Sequence, residues 1–287
     1  MSAVWQQTAS TARLADAAIV TEIDLAHPSN GFAFRFSSPS TGSIAAHLLG
    51  VRFGGGSRDA ASMPVDSYVR GADLVATYEE SPPRQLRAQC YWRHLLPEQF
   101  ATGFKSGVVA AFDLILSVNT SLLANNPHSD VQSTIFGATE VISLRRDQRQ
   151  AIVAEPLALN GQSVSISHES SEIAAGGTGA FIVRWNGEKS NSAVANRSWI
   201  QMVHPSDFCR ASAGAVGDLS TAAAASADRS TSPTGVQIVH DLFHQSLEKG
   251  VILRARVRGA IVDRQQDEAI AIAAYQQFAA AEPPLTV

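Results

Sequence analysis

The sequence predicts an all-β protein, a large antiparallel β-sandwich with one C-terminal covering helix. Three observations predict it. Short runs that alternate apolar and polar residues recur along most of the chain, and Gly, Pro and Asn turn signals separate them at close intervals. Helical periodicity is confined to the C-terminal end.

The stretch 235–262 organises the chain. It reads as two extended runs broken at Glu248-Lys249-Gly250. In the second run Val251, Leu253, Ala255, Val257, Gly259 and Ile261 share one face, and Arg254, Arg256 and Arg258 share the other with Ile252. Guanidinium groups do not enter a core without carboxylate partners. The arginine face therefore meets either water or a ligand with acidic or hydroxyl oxygens.

The remaining strands follow in order. After a polar start, 18–26 is the first expected strand, closed by His27-Pro28-Ser29-Asn30. Phe32, Phe34 and Phe36 alternate with Ala33 and Arg35 in the clearest short strand. The run 43–53 ends in Gly54-Gly55-Gly56-Ser57, a glycine turn. The runs 68–78 and 85–95 flank Ser81-Pro82-Pro83 and are expected to pair. Further strands are expected at 108–119, 131–144 and 151–159, the last joined by a hairpin at Asn160-Gly161 to 162–168. Strands at 180–185 and 197–204 complete the series.

Two segments differ. Residues 210–234 are rich in Ala, Ser, Gly and Thr and are expected to form a long loop, either mobile or acting as a lid. From 264 to 281, Ile270, Ala273, Ala274, Gln277, Phe278 and Ala281 repeat at helical spacing, with Asp263 and Gln266 in capping-box positions and Pro283-Pro284 as the stop. This helix is expected to cover sheet surface. No composition shift marks a boundary, so residues 1–287 are expected to form a single domain.

Composition narrows the function. Of 287 residues, 45% are hydrophobic and 17% charged, which describes a globular chain able to bury a large core. A net charge of -4 argues against a nucleic-acid partner. No apolar run reaches the roughly 20 residues of a membrane helix, and the N-terminus lacks the charged and apolar regions of a signal peptide. A cytoplasmic protein with no membrane partner is expected, in which Cys90 and Cys209 remain thiols. GxSxG, P-loop, GxGxxG and HExxH patterns are absent, which lowers hydrolase, nucleotide-binding and zinc-protease readings and implies no cofactor.

Three clusters remain as candidate chemistry. His240 and His244 stand four apart, but on a strand that spacing separates them by about 13 Å, too far for one metal ion, so no metal is expected. His204-Pro205-Ser206-Asp207 places an imidazole and a carboxylate on one turn, suited to acid/base work or simply to a self-bonded turn. Tyr91, Trp92, Arg93 and His94 place aromatic, cationic and titratable groups on one strand, with Tyr91 and Arg93 on one face and Trp92 and His94 on the other. Aromatic faces stack on sugar rings while Arg and His donate to hydroxyls, though a single tryptophan also serves as core.

The Leu247-Glu248-Lys249-Gly250 break and the long strand after it resemble the end of galactose mutarotase-like proteins, where an L-x-P-G type turn feeds a final strand. The resemblance covers about the last sixth of the chain and implies a β supersandwich. It also implies sugar chemistry, since that family opens an aldose ring with a histidine acid and a glutamate base. The chain departs from the pattern: Lys249 stands in place of proline, a helix follows the strand, and the Asn-Gly…Leu-His-Gly signature is missing. These departures point to a fold relative rather than an active mutarotase. The expected function is carbohydrate binding or epimerase-like chemistry on a sugar or acidic sugar. The expected contacts are Arg70, Trp92, Arg93, His94, Arg254 and Arg256, with His204 and Glu248 as the acid/base pair. The alternative is a non-catalytic sandwich for interaction or homo-oligomerisation.

Overall fold

The computed structural model describes residues 4–15, 19–37, 44–53, 62–81, 85–126, 128–159, 164–167, 177–185, 196–216, 235–243 and 245–282. Strands numbered in chain order form two nine-stranded sheets. The first runs in the order β1 (Gln6–Gln7), β2 (Thr11–Ala15), β3 (Ile19–Asp24), β4 (Phe32–Phe36), β5 (Ala46–Phe53), β11 (Ser129–Phe136), β18 (Gly235–Leu242), β17 (Phe208–Val216) and β14 (Val164–Ser167). The second runs β13 (Ile152–Leu157), β12 (Ala138–Arg146), β15 (Gly177–Trp185), β16 (Arg197–Val203), β20 (Leu253–Asp263), β9 (Val108–Asn119), β8 (Arg87–Leu95), β7 (Asp73–Tyr78) and β6 (Asp66–Arg70). A small ribbon pairs β10 (Ala124–Asn125) with β19 (Leu247–Glu248). This is the expected antiparallel sandwich.

Alternation explains the packing. Inward-facing residues of both sheets make one core, in which Trp92, Trp185, Trp199, Phe32, Phe34 and Phe112 are fully buried. Phe32 of the first sheet meets Phe112 of the second at 5.1 Å between ring centroids. Ala255, Val257 and Ile261 of β20 point into this core, as their spacing predicted. Within it lies one polar chain. Trp199 Nε1 donates to Gln201 Oε1 at 3.1 Å, Gln201 Nε2 bonds His240 Nδ1 at 3.0 Å, and His240 Nε2 bonds the Gly179 carbonyl at 2.7 Å. Both ring nitrogens of His240 are thereby used inside the core. His244 lies outside the described residues.

A second core forms on the outer face of the second sheet. There Ile142, Ile182, Ile200, Ala260 and Val262 meet Ile270, Ala274, Tyr275 and Phe278 of the C-terminal helix, α2 (Asp267–Ala279). A short α1 (Pro97–Phe100) adds Phe100. Arg184 grips the start of α2 with two bonds to Asp267, 2.7 and 2.8 Å long, and Ser198 Oγ adds a third at 2.6 Å.

The structure corrects several boundaries. Residues 68–78 are not one strand but the hairpin β6–β7, reversed at Gly71, whose φ of +61° suits glycine. Residues 131–144 divide at Gly137 (φ +71°) into β11 and β12, which belong to different sheets. β13 and β14 also lie in different sheets, so no hairpin joins them; Asn160-Gly161 itself lies outside the described residues. The expected loop from 210 begins as strand, since β17 continues to Val216, and 217–234 lies outside the described residues. No side chain caps α2: Arg264–Gln266 form a 3-10 turn, and Asp263 pairs with Arg197 instead.

Candidate functional site

Cross-strand register decides which candidate residues meet. Directly opposed residues point to the same face of a sheet. On the outer face of β6, β7, β8, β9 and β20, one row reads Arg70, Asp73, Arg93, Asp113, Arg258, alternating in charge across five strands. The next reads Tyr68, Val75, Tyr91, Ile115, Arg256, and His204 extends it because its amide bonds the Arg256 carbonyl at 3.0 Å. The third reads Asp66, Thr77, Gln89, Ser117, Arg254. Arg70, Arg93, Arg254, Arg256 and His204 thus share one face.

The other three do not. Trp92 is fully buried between the sheets, its Nε1 directed at the Leu49 carbonyl. His94 is on that same inner side, with its ring 5.5 Å from Phe112. Alternation along β8 forces both results, which removes these two from the expected cleft. Glu248 stands exposed on the β10–β19 ribbon. The carboxylate beside His204 is Asp207, at 3.7 Å, and not Glu248.

The arginines are neither simply solvated nor all available. Arg258 is buried, makes two bonds to Asp113 (2.7 and 2.8 Å) and lies 4.7 Å from the Phe278 ring. Arg256 is buried as well, with its Nε 3.0 Å from Asp207 and its Nη1 donating to the carbonyls of Ala281 and Glu282. The end of α2 therefore covers the part of the face nearest β16. Arg93 is half-exposed and holds the buried Asp73 through two bonds. Arg70 and Tyr68 are exposed, and Arg254 is half-buried.

Electrostatics bind these groups into one surface. Partial burial pushes the Tyr91 hydroxyl up; Tyr68 and Asp73 add to that, while Arg254 and Arg70 oppose it. Tyr91 therefore stays a neutral donor, and it donates to Gln89 Oε1 at 2.7 Å. Burial alone would raise the Asp207 carboxyl, but nearby His204 and the hydrogen bonds from Ser206 and Arg256 outweigh it and hold the group below its usual value. Asp207 is thus a fixed anion between His204 and Arg256. Tyr68, Tyr91, Gln89 and Asp207 were not among the expected contacts. Alternation alone joins Gln89 and Tyr91 to Arg93 and Tyr68 to Arg70, whereas bringing β6 and β8 into one row required the register.

No family model and no curated protein matches the chain, so likeness rests on structure. A candidate mutarotase, YeaD, from Salmonella typhimurium superposes with a TM-score of 0.52 at 8% identity, over 91% of this chain and 94% of its own. The fold is galactose mutarotase-like. The Slr1438 protein from Synechocystis sp. PCC 6803 has the same TM-score, 0.52, at 8% identity over 90% and 97% of the two chains. A candidate aldose 1-epimerase from Escherichia coli K12 lies further away, at 0.47 and 9% identity over 91% and 99%. The two superpositions at 0.52 show the architecture alone, and identities this low leave the site to be argued from its own residues.

Proposed function

We propose that the protein binds a carbohydrate on the outer face of its second sheet, and that it uses no cofactor there. The observation that carries this is the common row of Tyr68 and Tyr91, flanked by Arg70 and Arg93 on one side and by Gln89 and Arg254 on the other. Two phenol rings offer apolar area with a polar edge, and the guanidinium and amide groups around them suit the hydroxyls or carboxylate of a sugar or acidic sugar. Epimerase-like isomerisation is the finer part of the proposal. Opening an aldose ring takes the proton from the C1 hydroxyl and delivers one to the ring oxygen. His204, oriented by Ser206 and Asp207, would move that proton for a sugar that reaches beneath the end of α2, with Asp207 in place of Glu248 as its carboxylate partner.

A thermal-shift panel of monosaccharides, uronic acids and sugar phosphates tests the binding. A ligand that prefers the folded state raises the melting temperature as it saturates the protein. A dose-dependent shift with one sugar class, lost in Arg254→Ala, is the expected result. No shift with any member at tens of millimolar would remove carbohydrate from the proposal.

One observation favours a second, non-catalytic reading. The β10–β19 ribbon brings Leu122 and Leu123 near the chain segment that carries Val251 and Ile252, and all four are exposed, Leu123 at 86%. Such a patch suits self-association or another protein partner. Light scattering at rising concentration separates the two, because a Leu123→Glu variant would remain monomeric where the parent associates.

A further inference from the structure

Among the described residues, two buried polar atoms next to Asp207 have no hydrogen-bond partner: His204 Nε2 and Arg256 Nη2. Their side chains are about nine-tenths buried, at 10% and 7% exposure. They belong to one small assembly. Asp207 Oδ2 accepts from Arg256 Nε at 3.0 Å, and Oδ1 lies 3.7 Å from His204 Nδ1. The Phe278 ring packs against both, 5.5 Å from the imidazole and 5.9 Å from the guanidinium carbon. Leaving two such groups unsatisfied in an apolar setting is unfavourable.

The proton on His204 follows from its neighbours. Ser206 Oγ donates to Asp207 Oδ1 at 2.5 Å, which commits its only hydrogen. The contact of 2.8 Å between His204 Nδ1 and that oxygen then requires the hydrogen on Nδ1. The opposing contact, from the Ser206 amide to Nδ1, is long at 3.3 Å, and the shorter pair decides. With its hydrogen on Nδ1, the neutral form of His204 presents a bare lone pair at Nε2, beside a guanidinium with N–H groups to give.

An acceptor and a donor left over together describe a particular guest. An anion would satisfy Arg256 but face the lone pair of His204. A cation would do the reverse. A hydroxyl does both, since its oxygen accepts from Nη2 and its hydrogen is donated to Nε2. We propose that His204 Nε2 and Arg256 Nη2 form a subsite for one alcohol hydroxyl, roofed by Phe278 and the turn at Ala281–Glu282. That roof is latched by Arg256 Nη1 through the two carbonyls at 3.2 and 3.1 Å, so entry of a polyol would require the turn after α2 to lift. The subsite rests on the carbohydrate proposal only for the identity of its natural ligand.

Nitrogen-15 NMR of histidine-labelled full-length protein tests it, with ethylene glycol as the probe. Before titration, Nε2 of His204 is expected at the shift of an unprotonated ring nitrogen and Nδ1 at that of a protonated one. Added glycol is expected to move the Nε2 signal saturably. Arg256→Lys keeps a cation for Asp207 but lacks the second donor, and it is expected to weaken the response about tenfold. A proton on Nε2 in the parent protein overturns the proposal, as does an Nε2 signal that glycol leaves in place. Neither result depends on sugar binding at Tyr68 and Tyr91. A sugar that shifts the melting temperature while His204 stays unmoved would uphold the face and sink the subsite.

Discussion

The Trp199 indole lies against the backbone of Gly259 on the neighbouring strand. A Cβ placed on Gly259 would stand 2.3 Å from two of its ring atoms. β16 and β20 pair here, so the ring covers the space that any other residue would fill. The same indole begins the polar chain through Gln201 to His240 that joins the two sheets. Gly259→Ala must displace the ring, and overpacking of this kind costs about 1–3 kcal/mol. Urea unfolding with an unchanged m-value and a lower midpoint is the expected outcome; a neutral variant would mean that the ring has room to move.

The anchoring of α2 should be unequal among its carboxylates. Asp267 is buried and accepts from Arg184 and Ser198, whereas Glu268 is half-exposed and makes one bond to the same guanidinium. Removing one partner of a buried pair costs about 3–5 kcal/mol, and an exposed pair is worth about 1 kcal/mol or less. Asp267→Ala is therefore expected to destabilise strongly and Glu268→Ala barely. Equal losses in chemical denaturation would contradict the anchoring role of Asp267.

His240 should set part of the acid sensitivity. Full burial, opposed by its bond to Gly179, lowers its pKa from the ordinary 6.5 to about 4. Between those values the unfolded chain binds a proton that the folded chain refuses, so stability falls as pH drops from 6.5 toward 4. The slope is about 1.4 kcal/mol per pH unit for this one group. Unfolding free energies measured from pH 7.5 to 4.5 are expected to lose that component in His240→Gln. An identical slope in both proteins would mean that His240 titrates normally.

Strands were legible because each sheet buries one face and a two-residue period survives in the chain. What alternation cannot register is a change of sheet inside an apolar run. Val131 to Leu144 reads as continuous, yet Gly137 turns it from the first sheet into the second. The arginine face of β20 was legible as a face, but not its fate. The carboxylates that neutralise Arg256 and Arg258 come from positions 49 and 145 residues away, and the helix end that covers both meets them only in the folded chain. The chemistry of Trp92 and His94 suits a cleft, yet alternation along their own strand puts them on the side opposite Arg93. Glu248 fits an acid/base role by chemical type alone, whereas Asp207, three residues from His204, holds the position.

The ladder from Arg70 to Arg258 makes a related contrast. Asp73 is buried and Arg93 is half-exposed, so losing the acid strands less charge in the interior than losing Asp113 beneath the buried Arg258. Asp113→Ala is expected to cost more stability than Asp73→Ala in the same denaturation assay. The reverse order would mean that the covering helix contributes little to the burial of Arg258.

The most direct test of the sugar face uses the four tyrosines of the chain. Tyr68 and Tyr91 lie on it, Tyr78 is buried in the inter-sheet core, and Tyr275 is buried on the sheet-facing side of α2. In tyrosine-labelled protein titrated with the sugar that most raises the melting temperature, the ring signals of Tyr68 and Tyr91 should move together and saturate, with Tyr78 and Tyr275 unmoved. Saturable binding that leaves Tyr68 and Tyr91 in place would put the sugar elsewhere on the molecule and contradict the proposed face.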